Sequence, residues 1–265
     1  MNRPDIAQGR IDLWYTFLDR AADPHLLDRY FGLLDADERA RVQRLRLEHV
    51  RQEYLVTRAL VRTALSHYAG NDPSQWTFTQ NAYGKPIVDS PWRGYESFNL
   101  SHSAGLVICA VAAEGRVGVD VESVCRKNSG IALAKRFFAA PEVVTLEATP
   151  EARQQEVFIQ IWTLKEAYIK AIGHGLSVPL DSFHLALDDQ RPPSLYHAAT
   201  PEAPSSEWRF VQIRLAGQHH VSLAVSEPHL RKLVLKAREV IPLVGQRPEH
   251  SIDCDRACPS IAIDR

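Results

Sequence analysis

Cysteine is scarce in this chain: Cys109, Cys125, Cys254 and Cys258 are the four among 265 residues, too few for a disulfide scaffold and in keeping with a reducing compartment. Net charge is scarce as well. The 31 basic side chains nearly cancel 32 acidic ones, leaving −1, so the basic footprint that nucleic acid or an anionic membrane demands is missing. No window approaches the roughly 20 apolar residues needed to span a bilayer, and the start MNRPDIAQGRIDLWYTFLD has no apolar signal-peptide stretch. We therefore expect a cytoplasmic protein, a monomer, that works without nucleic acid or membrane. What is present, 45% hydrophobic and 24% charged residues, is the composition of a globular protein with a real core, and 265 residues suffice for two compact halves.

The pattern predicts an α+β fold. Residues 11–18 alternate as a strand does. Asp35, with Glu38 three residues later, sets up a capping box for a helical region running to about Tyr68, where Gly70-Asn71-Asp72-Pro73 stops it. Short strands at 76–79, 97–103 and 106–113 follow. A second round begins after Glu114-Gly115, with a strand at 117–122, helices near 131–138 and 141–146, the long helix VFIQIWTLKEAYIKAIG, and strands at 183–187, 208–215 and 220–226. Helix followed by three strands thus occurs twice, and Trp76-x-Phe78 is echoed by Trp208-x-Phe210; an internal duplication and two unrelated α+β halves both account for this. We place the halves at residues 1–115 and 116–228 and read 229–265 as a loosely attached C-terminal extension, because after the basic stretch RKLVLKAR it has no clear periodicity. Its His250, Cys254 and Cys258 fall short of a closed tetrahedral metal site. Cys109, inside the apolar run LVICAVAA, reads as a small core residue.

Some residues carry chemistry. In the strand VGVDVE, period-two alternation sends Val117, Val119 and Val121 one way and Gly118, Asp120 and Glu122 the other. Two carboxylates from one face repel each other unless water or a cation relieves them, so the pair is either a solvated strand face or a hard-cation site. The long helix is apolar nearly all round and should be buried, which leaves Lys165, Glu166 and Lys170 without a broad wet face. Glu166 and Lys170 stand four apart, as a simple surface ion pair would. In FNLSHS, Ser101, His102 and Ser103 adjoin a turn; they lack the glycine-flanked nucleophile elbow of a serine hydrolase, and a histidine with two hydroxyls equally suits a phosphate. NAYGKP holds Lys85 on a tight turn. The stretch ERARVQRLRLEHVRQ, with Arg39, Arg41, Arg44, Arg46 and Arg51, is either a solvated face or a guanidinium lining for a phosphate monoester.

In order and spacing, YGKP, FNLSHS, VGVDVE, RFF before a Pro-Glu helix start, and WTLKEAYIKAIGHGLSVPLDSF together resemble a 4′-phosphopantetheinyl transferase of the Sfp type, over roughly Glu38 to Ser226. The most diagnostic pieces are Gly118-Val119-Asp120 and, about forty residues on, Trp162-Thr163-Leu164-Lys165-Glu166-Ala167-Tyr168-Ile169-Lys170. The resemblance implies two similar halves related by a pseudo-twofold axis, each a small antiparallel sheet packed with a long helix, with the active site between them. It implies transfer of the phosphopantetheine arm of coenzyme A to a serine of an apo acyl or peptidyl carrier protein, releasing adenosine 3′,5′-bisphosphate. By the same resemblance Asp120, Glu122 and Glu166 would hold magnesium, with Glu122 bound directly or through water. Arg51 and Lys85 would engage the adenosine and its 3′-phosphate, Arg41 would assist, and Ser101, His102 and Lys170 would contact phosphates.

From this follows an expected mechanism in which Lys170 and His102 stabilise phosphate oxygens and Glu166 takes the serine proton. The segment Ser123 to Gly130 is expected to form part of the carrier-docking surface, with Arg126 and Lys127 meeting acidic carrier residues. A non-catalytic coenzyme A binding module and a hydrolase built on Ser101 and His102 are the competing readings.

Overall fold

The computed structural model of the chain describes residues 6, 9–89, 97–127, 129–188, 190–198, 202–226, 232–254 and 261–263. The fold is α+β and divides into two compact units, one of Met1–Glu114 with Leu233–Ile252, the other of Gly115–Lys232 with Asp253–Arg265. Among the described residues no helix is long and apolar enough to cross a membrane.

The first unit opens with β1 (Arg10–Phe17), then the helices α1 (Leu18–Ala21), α2 (Pro24–Gly32), α3 (Ala36–Arg44) and α4 (Glu48–Ala69). The hairpin β2 (Phe78–Gln80) and β3 (Pro86–Val88) precedes the longer hairpin β4 (Phe98–Ser103) and β5 (Leu106–Ala112). Asp35 and Glu38 form the expected reciprocal cap on α3. The helical region is not continuous to Tyr68, however: Leu45 and Leu47 take extended backbone between α3 and α4, at good helix formers whose propensity tertiary packing overrides. Helix α4 places Leu55, Val56, Ala59, Leu60 and Ala64 in a core with Trp14, Trp76, Phe98 and Cys109, and ends on left-handed Gly70.

The second unit contains β6 (Arg116–Ser123), α5 (Ile131–Phe137), α6 (Ala140–Ala148), α7 (Glu151–Ile172), the hairpin β7 (Phe183–Ala186) and β8 (Ser194–His197), then β9 (Arg209–Leu215) and β10 (His219–Ser226). Its sheet runs β14-β9-β10-β6, where β14 is Ile261–Ile263, and α7 lies on β6 and β10. The strand expected at 183–187 is therefore not a member of this sheet; it pairs with β8, and β6 takes the place beside β10.

The C-terminal segment is not a loose tail. Strand β11 (Val234–Ile241) pairs in parallel with β1, in a sheet of order β12-β11-β1-β5-β4, with β12 at Gly245–Gln246 and β13 (His250–Asp253) paired to β11. Its basic residues had hidden the strand. Arg238, buried, lies 3.3 Å from Asp12 Oδ2 and 4.4 Å over the Trp14 ring, and Lys236 pairs with Glu249 at 2.6 Å, so the cations that read as a solvated run are neutralised by acids of β1 and of the residue before β13. Cys254 is buried. Cys258 lies outside the described residues.

Candidate active site

The site in the second unit is built on the contact between β6 and α7. Gly118 lets them touch: a Cβ there would sit 2.0 Å from the Ala167 carbonyl oxygen and 2.5 Å from the Ala171 nitrogen, so only a residue without a side chain fits. The Gly118 face of β6 is thus the face α7 covers, and Asp120, two residues on and on that same face, is buried beneath the helix rather than solvated. Across β10, Asp120 is in register with Ser222 and Glu122 with His220. Ser222 Oγ is 2.7 Å from Thr163 Oγ1 of α7, which pins helix to sheet one turn before Glu166.

Charges from both elements meet here. Lys170 Nζ donates to Asp120 Oδ1 at 2.6 Å, so Lys170 reaches across to the strand instead of serving only as an i,i+4 partner of Glu166. Glu122 is paired with Arg126, whose guanidinium lies 4.3 Å over the Trp162 ring. The Glu166 carboxyl is pushed above its usual range, first by burial and then by the charge of Asp120, with Lys170 and Arg126 opposing and Glu122 adding a little. Asp120, Glu122 and Glu166 supply hard oxygen donors, the chemistry a divalent cation such as magnesium requires. Among the described residues no set of three His, Cys, Asp or Glu side chains converges as a metal centre; Lys170 is paired with Asp120 and Arg126 with Glu122.

The neighbouring Lys165 does something else. It is fully buried, 2.7 Å from Glu142 and donating to the carbonyls of Leu180 and Phe183, while Glu142 also accepts from the backbone of Ala139 and Leu185. Burial pushes Glu142 up and Lys165 down against their mutual attraction. Every direction is filled, and the pair anchors α6 and α7 to β7.

The other expected residues belong to the first unit. Arg41 lines a cleft of about 500 Å³ together with Arg44, Tyr54, Arg58, Phe78 and Pro86, its guanidinium 5.2 Å over the Tyr54 ring. Arg51 is not in that cleft; it pairs with Glu48 and borders a different one with Ala22, Phe31 and Leu55. Lys85 sits on the turn before β3, its backbone amide held by Asn81 Oδ1 at 2.9 Å. On β4, Ser101 is buried and His102 half exposed, on opposite faces of the strand. The acid beside His102 is Glu53 of α4, 2.9 Å from Nδ1, so Ser101 and His102 do not assemble a nucleophile with its base. Glu53, Ser222 and Glu142, the partner of Lys165, were not singled out from the sequence; Gly118, Thr163 and Lys165 stood inside its motifs without the packing roles seen here.

With this geometry in place, relatives identify the class. The 4′-phosphopantetheinyl transferase superfamily matches residues 116–224, and the N-terminal domain of 4′-phosphopantetheinyl transferase matches residues 22–114. The 4′-phosphopantetheinyl transferase HetI of Nostoc sp. is 35% identical over 196 residues, 73% of this chain and 81% of that one. The 4′-phosphopantetheinyl transferase Sfp of Bacillus subtilis is 33% identical over 175 residues, 66% of this chain and 76% of that one. The chain belongs to the 4′-phosphopantetheinyl transferases, enzymes that pass the phosphopantetheine group of coenzyme A to a carrier protein.

Proposed function

We propose that this enzyme modifies a serine of an apo acyl or peptidyl carrier protein of secondary metabolism, releasing adenosine 3′,5′-bisphosphate, with magnesium held by Asp120, Glu122 and Glu166. The observation that supports this most is Asp120, buried on β6 under α7 and held by Lys170, with its charge and that of Glu122 acting on Glu166. Bound to those carboxylates, magnesium supplies charge neutralisation to the pyrophosphate. Lys170 exchanges its hold on Asp120 for a phosphate oxygen. Glu166 accepts the serine proton as the serine oxygen bonds to the β-phosphorus and the phosphorus–oxygen bond to the adenosine bisphosphate breaks.

In the first unit His102 and Ser101 contact phosphates, Lys85 and Arg41 engage the adenosine 3′-phosphate end, and Arg51 assists. Support is stronger for Arg41, which shares its cleft with Arg44 and Arg58, than for Arg51, whose partner is Glu48. In the segment after β6, Lys127 is exposed and suits an acidic carrier, whereas Arg126 is engaged with Glu122 and Trp162. The test is incubation of the purified enzyme with coenzyme A, magnesium and a panel of apo carriers, read by intact mass. A pantetheine mass added to at least one carrier is expected; unmodified carriers throughout would overturn the reading.

A further inference from the structure

Histidine 102 has a dedicated partner. Its Nδ1 lies 2.9 Å from Glu53 Oε1, an acid on α4 separated from it by 49 positions and held near it because α4 packs against β4 and β5. The Glu53 side chain is three-quarters covered, while half of the imidazole faces solvent. The Glu53 carboxyl is held below the usual range, chiefly by the hydrogen bond from His102, with burial opposing and the charges of His102 and His49 helping. An ionised carboxylate accepts and cannot donate, so the nitrogen it faces must carry a hydrogen. That fixes Nδ1–H and leaves Nε2 as the outer nitrogen of the ring.

We propose that Glu53 is a positioning residue for the transfer: by holding Nδ1–H of His102 it fixes the ring and supports a second proton, so that Nε2–H donates to a phosphate of coenzyme A. This rests on the reading that His102 contacts that phosphate. The logic is that of any histidine whose second nitrogen is tied to a carboxylate: the tie removes ring rotation and tautomer exchange from the cost of binding, and the carboxylate charge balances the proton that Nε2 needs in order to donate to an anion. Glu53 touches no substrate; it acts through His102. Its neighbours along α4 have other duties, since Arg58 and Arg62 are bound to Glu38.

The experiment combines steady-state kinetics on the intact enzyme with nitrogen-15 correlation spectra of the histidine rings. Glu53→Ala should raise the KM for coenzyme A about tenfold, the worth of one charge-assisted hydrogen bond, with the KM for the carrier unchanged. The His102 ring should pass from the Nδ1–H tautomer to a rotating mixture. Glu53→Gln, whose amide oxygen still accepts, should retain the tautomer and lose only part of the affinity. The double variant Glu53→Ala/His102→Ala should be no worse than His102→Ala. If His102→Ala raises the KM for coenzyme A and Glu53→Ala does not, Glu53 has no positioning role although His102 binds phosphate. If His102→Ala itself leaves that KM unchanged, the reading beneath the proposal fails first.

Discussion

Helices α4 and α7 are both 22 residues long, both end on a left-handed glycine, Gly70 and Gly173, and each packs on a sheet of its own unit; what differs is how their charges are matched. On α4, buried Arg62 and its neighbour Arg58 converge on Glu38, and Arg62 also donates to the Trp76 carbonyl. These charges are spent on one another. On α7, Lys165 is spent in the same way on Glu142, but one residue later Glu166 enters ground shared by Asp120 and Glu122, and its carboxyl is driven upward. Around Glu166 burial and the charges of Asp120 and Glu122 prevail over those of Lys170 and Arg126. The Glu38 cluster and the Lys165–Glu142 pair hold the fold, and on the proposed reading the charges around Glu166 serve the transfer.

Breaking the matched pair should have the largest effect. Lys165→Met strands a buried carboxylate and should destabilise the protein by roughly 4 kcal/mol in urea unfolding, while adding Glu142→Gln restores much of the loss. Unchanged stability in the single variant would show that the pair is not the anchor described. Gly118→Ala comes next. Its Cβ must move backbone of α7 that it would meet at 2.0 Å, costing about 3 kcal/mol and displacing Glu166 and Lys170, so transfer should fall even where the protein remains folded at low temperature.

The seam between β10 and α7 gives a pH dependence. His220 is buried, and burial followed by the charge of Arg214 depresses its pKa to about 4, with Glu156 opposing. A depressed histidine contributes stability in full above the unfolded value of about 6.5 and loses it as pH falls toward 4, up to about 3 kcal/mol across that window. Unfolding free energies measured at pH 7.5 and pH 4.5 should therefore differ more in the wild type than in His220→Gln. Equal slopes would remove His220 from the account. The smallest expected effect has the opposite sign: Glu166→Gln relieves the crowded acids and should raise the melting temperature of metal-free enzyme by a few degrees, about 1 kcal/mol, while abolishing transfer. A lower melting temperature would mean that Glu166 is a structural charge.

Much of the second unit was legible because its signals are local. VGVDVE set the face of Asp120 and Glu122, and the all-round apolar character of α7 announced its burial. What escaped was long-range. The parallel pairing of β11 with β1 joins residues more than 200 positions apart, and Lys236 and Arg238, apolar-face positions occupied by cations, cannot be recognised until Asp12 and Glu249 are seen opposite them. The union of Glu53 with His102 leaves no local mark for the same reason. The break at Leu45 to Leu47 was hidden differently, by residues whose intrinsic preference is helical. Arg41 and Arg51 read alike in one basic stretch, and only the turn between α3 and α4 sends them to separate clefts.

The most direct test of the proposed metal site is phosphopantetheine transfer to an apo carrier, followed by intact mass, in wild type and Asp120→Asn, each with magnesium and with a chelator. Modification by the wild type with magnesium alone, and in none of the other three samples, is the predicted result. Undiminished modification by Asp120→Asn, or by the wild type in chelator, would contradict the assignment of these carboxylates to a catalytic metal.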